Sequence, residues 1–81
     1  MKIVFYGPLA DTIAREIELT LDEGMQTLGT LRTHLAGMYP AQAETLCGPR
    51  TRWAVEGEFA ADDAPLDRAA LIECLPPVSG G

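Results

Sequence analysis

The residues best placed to do chemistry stand together in Pro76-Pro77-Val78-Ser79-Gly80-Gly81. Gly81 offers an α-carboxylate, whose reference pKa of about 3.5 makes it an anion at neutral pH. Gly80 and Gly81 lack a Cβ, so they fit a channel too narrow for other residues. Pro76 and Pro77 fix φ and have no N–H to give to a sheet, so a strand must stop where they begin. The residues after Pro76 reach at most ~17 Å. A stiff stem with a slender, charged tip suits a group delivered into another protein's pocket. The Gly81 carboxylate is therefore expected to be the working group. Pro76, Pro77, Val78, Ser79 and Gly80 carry it through a partner's channel, and residues 1–75 are its handle.

The other reactive side chains offer less. Cys74 stands close to the tail and invites a sulfur-relay reading. Its place in the apolar run Leu71-Ile72-Glu73-Cys74-Leu75 favours a buried structural thiol instead. Cys47 falls in a loop with Gly48-Pro49 and reads as incidental. The two cysteines show no C-x-x-C spacing and no Cys/His cluster, so no metal is expected. His34 has polar neighbours and no Ser, Cys or Asp at useful spacing, which makes it a surface histidine. Glu56, Glu58, Asp62 and Asp63 read as solvated turn and loop, with a basic partner as the sharper alternative. No P-loop, nucleophile elbow or paired-carboxylate arrangement is present in the sequence.

Size and charge narrow the function classes. A chain of 81 residues is one domain. It buries only roughly 60% of its unfolded surface, which leaves little room for a deep pocket beside a core. That favours a binding or carrier module over a self-contained enzyme. Twelve Asp and Glu against six Lys and Arg give a net charge of −6. Phosphate backbones demand the opposite sign, so nucleic acid is an unfavourable partner. The acidity suits docking on a basic protein, and equally serves solubility alone. The opening Met1–Tyr6 is too short for a signal-peptide core or a membrane span, and the expected location is the cytoplasm, with reduced thiols.

The elements that hold the tail can be read from periodicity. Residues 2–6 are β-branched and aromatic with apolar residues on both faces, the pattern of a central strand. Gly7-Pro8 breaks it, and residues 9–15 connect, with room for a helical turn. Residues 16–21 alternate, Ile17, Leu19 and Leu21 on one face, which predicts a second strand hairpinned to the first. Thr27 is a candidate N-cap for a helix over 27–38, with Leu28, Leu31, Leu35 and Met38 as its buried stripe and Pro40 as its stop. Residues 41–46 have room for another helical turn. Residues 52–55 predict a third strand with Trp53 and Val55 on one face, Glu56-Gly57 a tight turn, and Glu58-Phe59 a short return strand. A polar connection anchored by Pro65-Leu66 leads to the last strand, 71–75. Ile72 and Cys74 face inward there. Leu71 and Leu75, with Val78, are candidates for an apolar docking patch at the base of the tail. One helix across a mixed sheet, with the first and last strands side by side at its centre, is an α+β domain of the β-grasp, ubiquitin-like kind.

On these residues the chain resembles the small, sulfur-carrier subunit of molybdopterin synthase. The Pro76–Gly81 tail carries most of the resemblance. The opening strand, the helix with Thr27, Leu28, Leu31 and Leu35, the run Trp53-Ala54-Val55 and the apolar last strand support it. Glu56 stands where that family commonly has Asn, and Ala69-Ala70 where it has a Gly-Asp turn. The resemblance implies that Gly81 is adenylated at the expense of ATP by a partner of the ubiquitin-activating type. A persulfide donor then converts it to a thiocarboxylate. It further implies that the tail enters the large synthase subunit, in a heterotetramer, and gives sulfur to a cyclic pyranopterin during molybdenum-cofactor synthesis. No permanently bound cofactor is implied. A carrier for another pathway, such as thiamine thiazole synthesis, and a ubiquitin-like protein modifier are the alternatives.

Overall fold

A computed structural model of the chain describes residues 1–22, 24–67 and 69–77. Strand β1 (Lys2–Phe5) buries Ile3 and Phe5 and turns Val4 to the opposite face, the period-two alternation of a pleated strand. Gly7 then takes φ 60°, ψ −142°, a conformation that a Cβ would strain. Pro8 opens the short helix α1 (Pro8–Thr12), where its missing N–H would be unpaired anyway. Strand β2 (Glu16–Glu18) returns antiparallel to β1, with Lys2 opposite Glu18 and Val4 opposite Glu16.

The main helix, α2 (Leu28–Met38), starts at Thr27. The Thr27 hydroxyl accepts from Thr30 N–H, and Thr30 Oγ1 accepts from Thr27 N–H, a reciprocal cap. Two further N–H groups of the first turn are satisfied from outside: Leu28 donates to Ala64 O at 2.9 Å and Gly29 to Asp62 O at 2.8 Å. The long connection before the last strand is thus fastened to the helix start. Leu66 is fully buried beneath it, the expected anchor. A 3-10 turn (Pro40–Gln42) and helix α3 (Ala43–Leu46) follow, then strands β3 (Arg52–Val55), β4 (Glu58–Ala60) and β5 (Leu71–Leu75). Glu56 and Gly57 have φ 53° and 85°, the paired positive values of a type I′ hairpin turn.

The five strands form one sheet in the order β2-β1-β5-β3-β4. β5 runs parallel to β1 and antiparallel to β3, so the first and last strands are neighbours and the last is central. Leu28, Leu31 and Leu35 pack with Ile3, Phe5, Trp53, Ile72 and Cys74 into one core. This is the β-grasp fold expected from the sequence. Each fully buried Leu or Ile contributes about 1.5–3 kcal/mol.

Three local expectations change. β2 ends at Glu18, not Leu21, with one reciprocal pair beyond it: Leu19 N–H donates to Met1 O at 2.9 Å and the Met1 amino group to Leu19 O at 3.0 Å. Ile17, Leu19 and Leu21 still pack against the core. Tyr6 lies outside β1, though its N–H still reaches Cys74 O at 3.1 Å. Met38 is 43% exposed, and Tyr39 at the helix C-cap packs against the core instead. At 3.6 residues per turn, either can follow Leu35 on the stripe.

Candidate functional site

The base of the tail is held more firmly than any edge of the sheet could hold it. On one side, β5 pairs with β1 from Lys2–Leu71 to Phe5–Cys74. On the other it pairs with β3 from Val55–Ile72 to Arg52–Leu75. Pro76 and Pro77 follow at once, and with no N–H they end both ladders. Pro76 lies against the Gly7 turn, where a Cβ on Gly7 would sit 3.4 Å from Pro76 Cγ. Pro77 borders a groove of about 210 Å³ with Thr45, Gly48, Pro49, Arg50 and Thr51. Pro76 and Pro77 are both half-buried. Val78, Ser79, Gly80 and Gly81, the rest of the expected tail, lie outside the described residues.

One side chain fixes the wall beside Pro77. Arg32, on α2, donates from Nε to Leu46 O at 2.8 Å and from Nη2 to Gly48 O at 2.6 Å. Its Nη1 pairs with Asp62 at 2.8 Å, and its guanidinium lies over the Trp53 ring, 5.7 Å from the centroid. The loop closes on itself as well, with Thr51 Oγ1 donating to Thr45 O at 2.6 Å. Arg32 lies off the leucine stripe of α2. Its function as a fork between a helix and a loop has no local signature, because its acceptors are backbone carbonyls of a distant segment.

Strand register defines the sheet face opposite α2. Residues in phase with Leu71 and Leu75 are Lys2, Val4, Arg52, Ala54 and Phe59 on neighbouring strands. Leu71 and Leu75 are half-buried there, and Phe59 is 58% exposed. The two docking candidates therefore belong to a wider mixed face, in which Lys2, Glu73 and Arg52 stand among the apolar side chains and Arg52 lies over the Phe59 ring. Phe59 falls in the expected return strand, and its alternation with the inward-facing Ala60 carries the signal that puts it on this face. Tyr6 is 42% exposed and donates to Glu73 Oε2 at 2.7 Å. That bond to a carboxylate, with burial and the Glu73 charge, holds the Tyr6 hydroxyl above its ordinary pKa. Ile72 and Cys74 face inward as expected, both fully buried.

The remaining candidates fall into place around this base. Glu56 Oε1 accepts from Leu71 N–H at 2.9 Å and from Ala70 N–H. The bonds to Leu71 and then Ala70 hold its carboxyl below the usual range. Glu56 and Asp62 are thus both engaged inside the molecule, whereas Glu58 and Asp63 are simply exposed. Burial pushes the Cys74 thiol up to about 12, against a smaller opposing effect of Arg32, so it is neither thiolate nor nucleophile at neutral pH. Cys47 is exposed, with its Sγ 3.8 Å from Arg32 O, and His34 is exposed. Among the described residues no helix is long and apolar enough to cross a membrane.

Compared with protein families, the chain matches the ThiS family over residues 3–81. A search of curated proteins gives no match. Among solved structures it is similar to the crystal structure of SAMP1 from Haloferax volcanii, with a TM-score of 0.79 at 24% identity. That likeness covers 99% of this chain and 97% of the other, and it speaks for the fold.

Proposed function

The chain belongs to the ThiS family of ubiquitin-like sulfur carriers, and we propose that it serves as the small subunit of molybdopterin synthase. Carriers of this type work with adenylating enzymes related to ubiquitin activation and with synthase partners. The observation that carries the finer reading is the passage from β5, the central strand, straight into Pro76-Pro77-Val78-Ser79-Gly80-Gly81.

The proposed sequence of steps begins at the Gly81 carboxylate. One of its oxygens attacks the α-phosphorus of ATP held by the adenylating partner, and pyrophosphate leaves. The mixed anhydride so formed has an electrophilic carbonyl. A persulfide on the sulfur donor attacks it and displaces AMP, giving an acyl disulfide. A second thiol reduces that disulfide and releases the thiocarboxylate. The tail then enters the large subunit, where its sulfur bonds to a carbon of a cyclic pyranopterin as a carbon–oxygen bond there breaks; water hydrolyses the thioester so formed, leaving the sulfur on the pterin and returning the Gly81 carboxylate. Two such transfers complete one dithiolene. The handle contributes position only: the half-buried prolines aim the stem, and Leu71, Leu75 and Phe59 offer the partner an apolar seat.

A carrier for thiamine thiazole synthesis is the second reading, and it shares the ThiS family match. Intact-mass spectrometry after incubation with ATP, the adenylating enzyme and a persulfide donor tests the carrier step. Replacement of one oxygen by sulfur at Gly81 is expected, and its absence with every adenylating enzyme offered would sink the proposal. Adding the large subunit and the cyclic pyranopterin separates the pathways. Sulfur lost to the pterin supports the first reading; sulfur lost only to a thiazole synthase supports the second.

A further inference from the structure

The sheet face opposite α2 carries two charged groups that could join and do not. Arg52 on β3 is paired with Leu75, and Ala54 with Glu73. Arg52 and Glu73 are therefore diagonal neighbours on that face, within reach of one another for side chains of their length. No ion pair links them among the described residues. Each is engaged by an aromatic side chain instead. The Arg52 guanidinium lies on the Phe59 ring of β4, 3.8 Å from its centroid. Glu73 Oε2 accepts from the hydroxyl of Tyr6, just past the end of β1, at 2.7 Å. In the order β1-β5-β3-β4 the two rings stand on opposite flanks, so the charges are held apart, with Leu75 and Ala54 at the other corners of the same square. Lys2, the other cation of this face, already pairs with Glu16 at 3.5 Å. Arg52 is exposed and Glu73 half-buried. One bond from a neutral hydroxyl does not fill a carboxylate that can accept about four.

We propose that Arg52 and Glu73 are a fixed pair of docking charges that orient the adenylating partner. That partner presents a carboxylate to Arg52 and a basic side chain to Glu73, on either side of an apolar contact with Leu75. Its chemistry follows from what its arrival does to this face. A protein seated on Leu71 and Leu75 strips water from both charges, and an apolar cover would leave two buried ions unmatched. Opposite charges at the same spacing match both. A partner rotated by half a turn on the face meets like charge twice and is rejected. Stacking on Phe59 fixes the guanidinium plane and leaves its N–H edges free for a forked bond to a carboxylate, so little side-chain freedom is lost on binding. The net charge of −6 attracts a basic protein from any side, whereas this pair selects the side and the rotation. The inference rests on the carrier reading only in taking its partner to be an adenylating enzyme, whichever pathway the sulfur serves.

The test uses the full chain with the adenylating partner and ATP, and follows pyrophosphate release. Arg52→Glu and Glu73→Arg should each raise the KM for the chain roughly tenfold or more, while kcat moves less than about twofold. The double reversal, Arg52→Glu with Glu73→Arg, separates a charge read by the partner from one that serves the chain itself. Charges read by the partner make the double variant worse than either single one; charges that neutralise each other within the chain make it recover. An unchanged KM in either single variant, or a double variant no worse than the singles, overturns the proposal. Should Glu73→Arg fail to fold by circular dichroism, Glu73→Gln takes its place, keeps an acceptor for Tyr6, and should raise KM roughly threefold or more. Urea unfolding supplies a reading that needs no partner. Arg52→Gln and Glu73→Gln should multiply in the unfolding constant to within about twofold, as groups without mutual contact do. A larger coupling shows that the two pair with each other and overturns the proposal. If no adenylating enzyme releases pyrophosphate with the unaltered chain, the carrier reading falls and takes this one with it. If the unaltered chain is turned over and the reversed chains match it, the docking charges alone are refuted.

Discussion

Replacing Arg32 with Ala should be among the most damaging changes available outside the apolar core. The side chain is 11% exposed and ties α2 to the loop beside Pro77. Its removal deprives Leu46 O and Gly48 O of charged donors at 2.8 and 2.6 Å. Both sites are only part-buried, so water replaces some of each bond, and about 1 kcal/mol per carbonyl is the fitting loss. The Asp62 carboxylate is 65% exposed, which limits that ion pair to ~0.5 kcal/mol. Losing the contact over Trp53 adds about 0.5 kcal/mol. The sum, about 3 kcal/mol, is a large part of the ~4–12 kcal/mol expected for a domain of this length. It corresponds to a fall in Tm of roughly 12–24 °C. Urea unfolding followed by far-UV circular dichroism measures it without relying on the fluorescence of Trp53, which the substitution itself alters. Asp62→Ala is the control, with an expected loss of about 0.5 kcal/mol. Arg32→Lys should recover less than half, because an ammonium cannot fork to two carbonyls and a carboxylate at once. The reasoning fails if Arg32→Ala lies within about 1 kcal/mol of the unaltered chain, or if Asp62→Ala costs as much as Arg32→Ala.

Other consequences can be checked with simpler measurements. Glu56 is more acidic folded than unfolded, so its contribution is present above its ordinary value of 4.5 and is lost as pH falls through the lower folded value. Glu56→Gln should therefore be less stable than the unaltered chain at neutral pH, and the gap should close in acid; a gap independent of pH in urea melts would contradict this. The Cys74 thiol should resist a thiol reagent in the native chain near pH 8 while Cys47 reacts, so that one thiol per chain titrates before denaturation and both after. Two fast thiols would show that the core around β5 opens. With its pKa raised from 9.0 to about 12, Cys74 also withdraws stability as pH climbs through that interval, and Cys74→Ala should blunt the alkaline limb of the stability profile. Gly7→Ala should cost about 1–3 kcal/mol from backbone strain at φ 60°. The 3.4 Å approach to Pro76 is ordinary contact, so Gly7→Ala that unfolds at the normal denaturant midpoint would mean the turn has moved.

The parts of this fold legible in the sequence are those governed by local period and turn chemistry. Leu28, Leu31 and Leu35 announce a helix because three and four residues bring them to one face. Glu56-Gly57 announces a hairpin because two positive φ values are needed there, although Glu is an uncommon choice for the first. Ile72 and Cys74 announce their burial by alternation with Leu71, Glu73 and Leu75. What the sequence concealed depends on segments far apart in the chain. Arg32 finds its acceptors 14 and 16 residues away, and Tyr6 finds Glu73 across 67 residues. Glu56 read as a solvated acid because nothing local says that Ala70 and Leu71 present free N–H groups to it.

Placing the tail on the central strand has a mechanical consequence that an edge strand would not give. A stem drawn into another protein's channel transmits force and torque to the residue before it, here Leu75. Edge strands open first, because half of their backbone groups have no partner. β5 is paired on both flanks along its length, and Glu56 caps its first N–H groups from the β3–β4 turn. The prolines then separate two tasks. Up to Leu75 the backbone is committed to the sheet; from Pro76 on, the missing N–H groups keep the stem from extending that sheet or pairing with a neighbour's edge. Fixed φ at both prolines also lowers the entropy lost when the stem is held straight. On the proposed reading, a partner that seats on Leu71, Leu75 and Phe59 would bind a rigid body in which Pro76 and Pro77 fix where the stem begins. Binding energy gathered on the handle would then be available to place the tip, which is too small to supply much of its own.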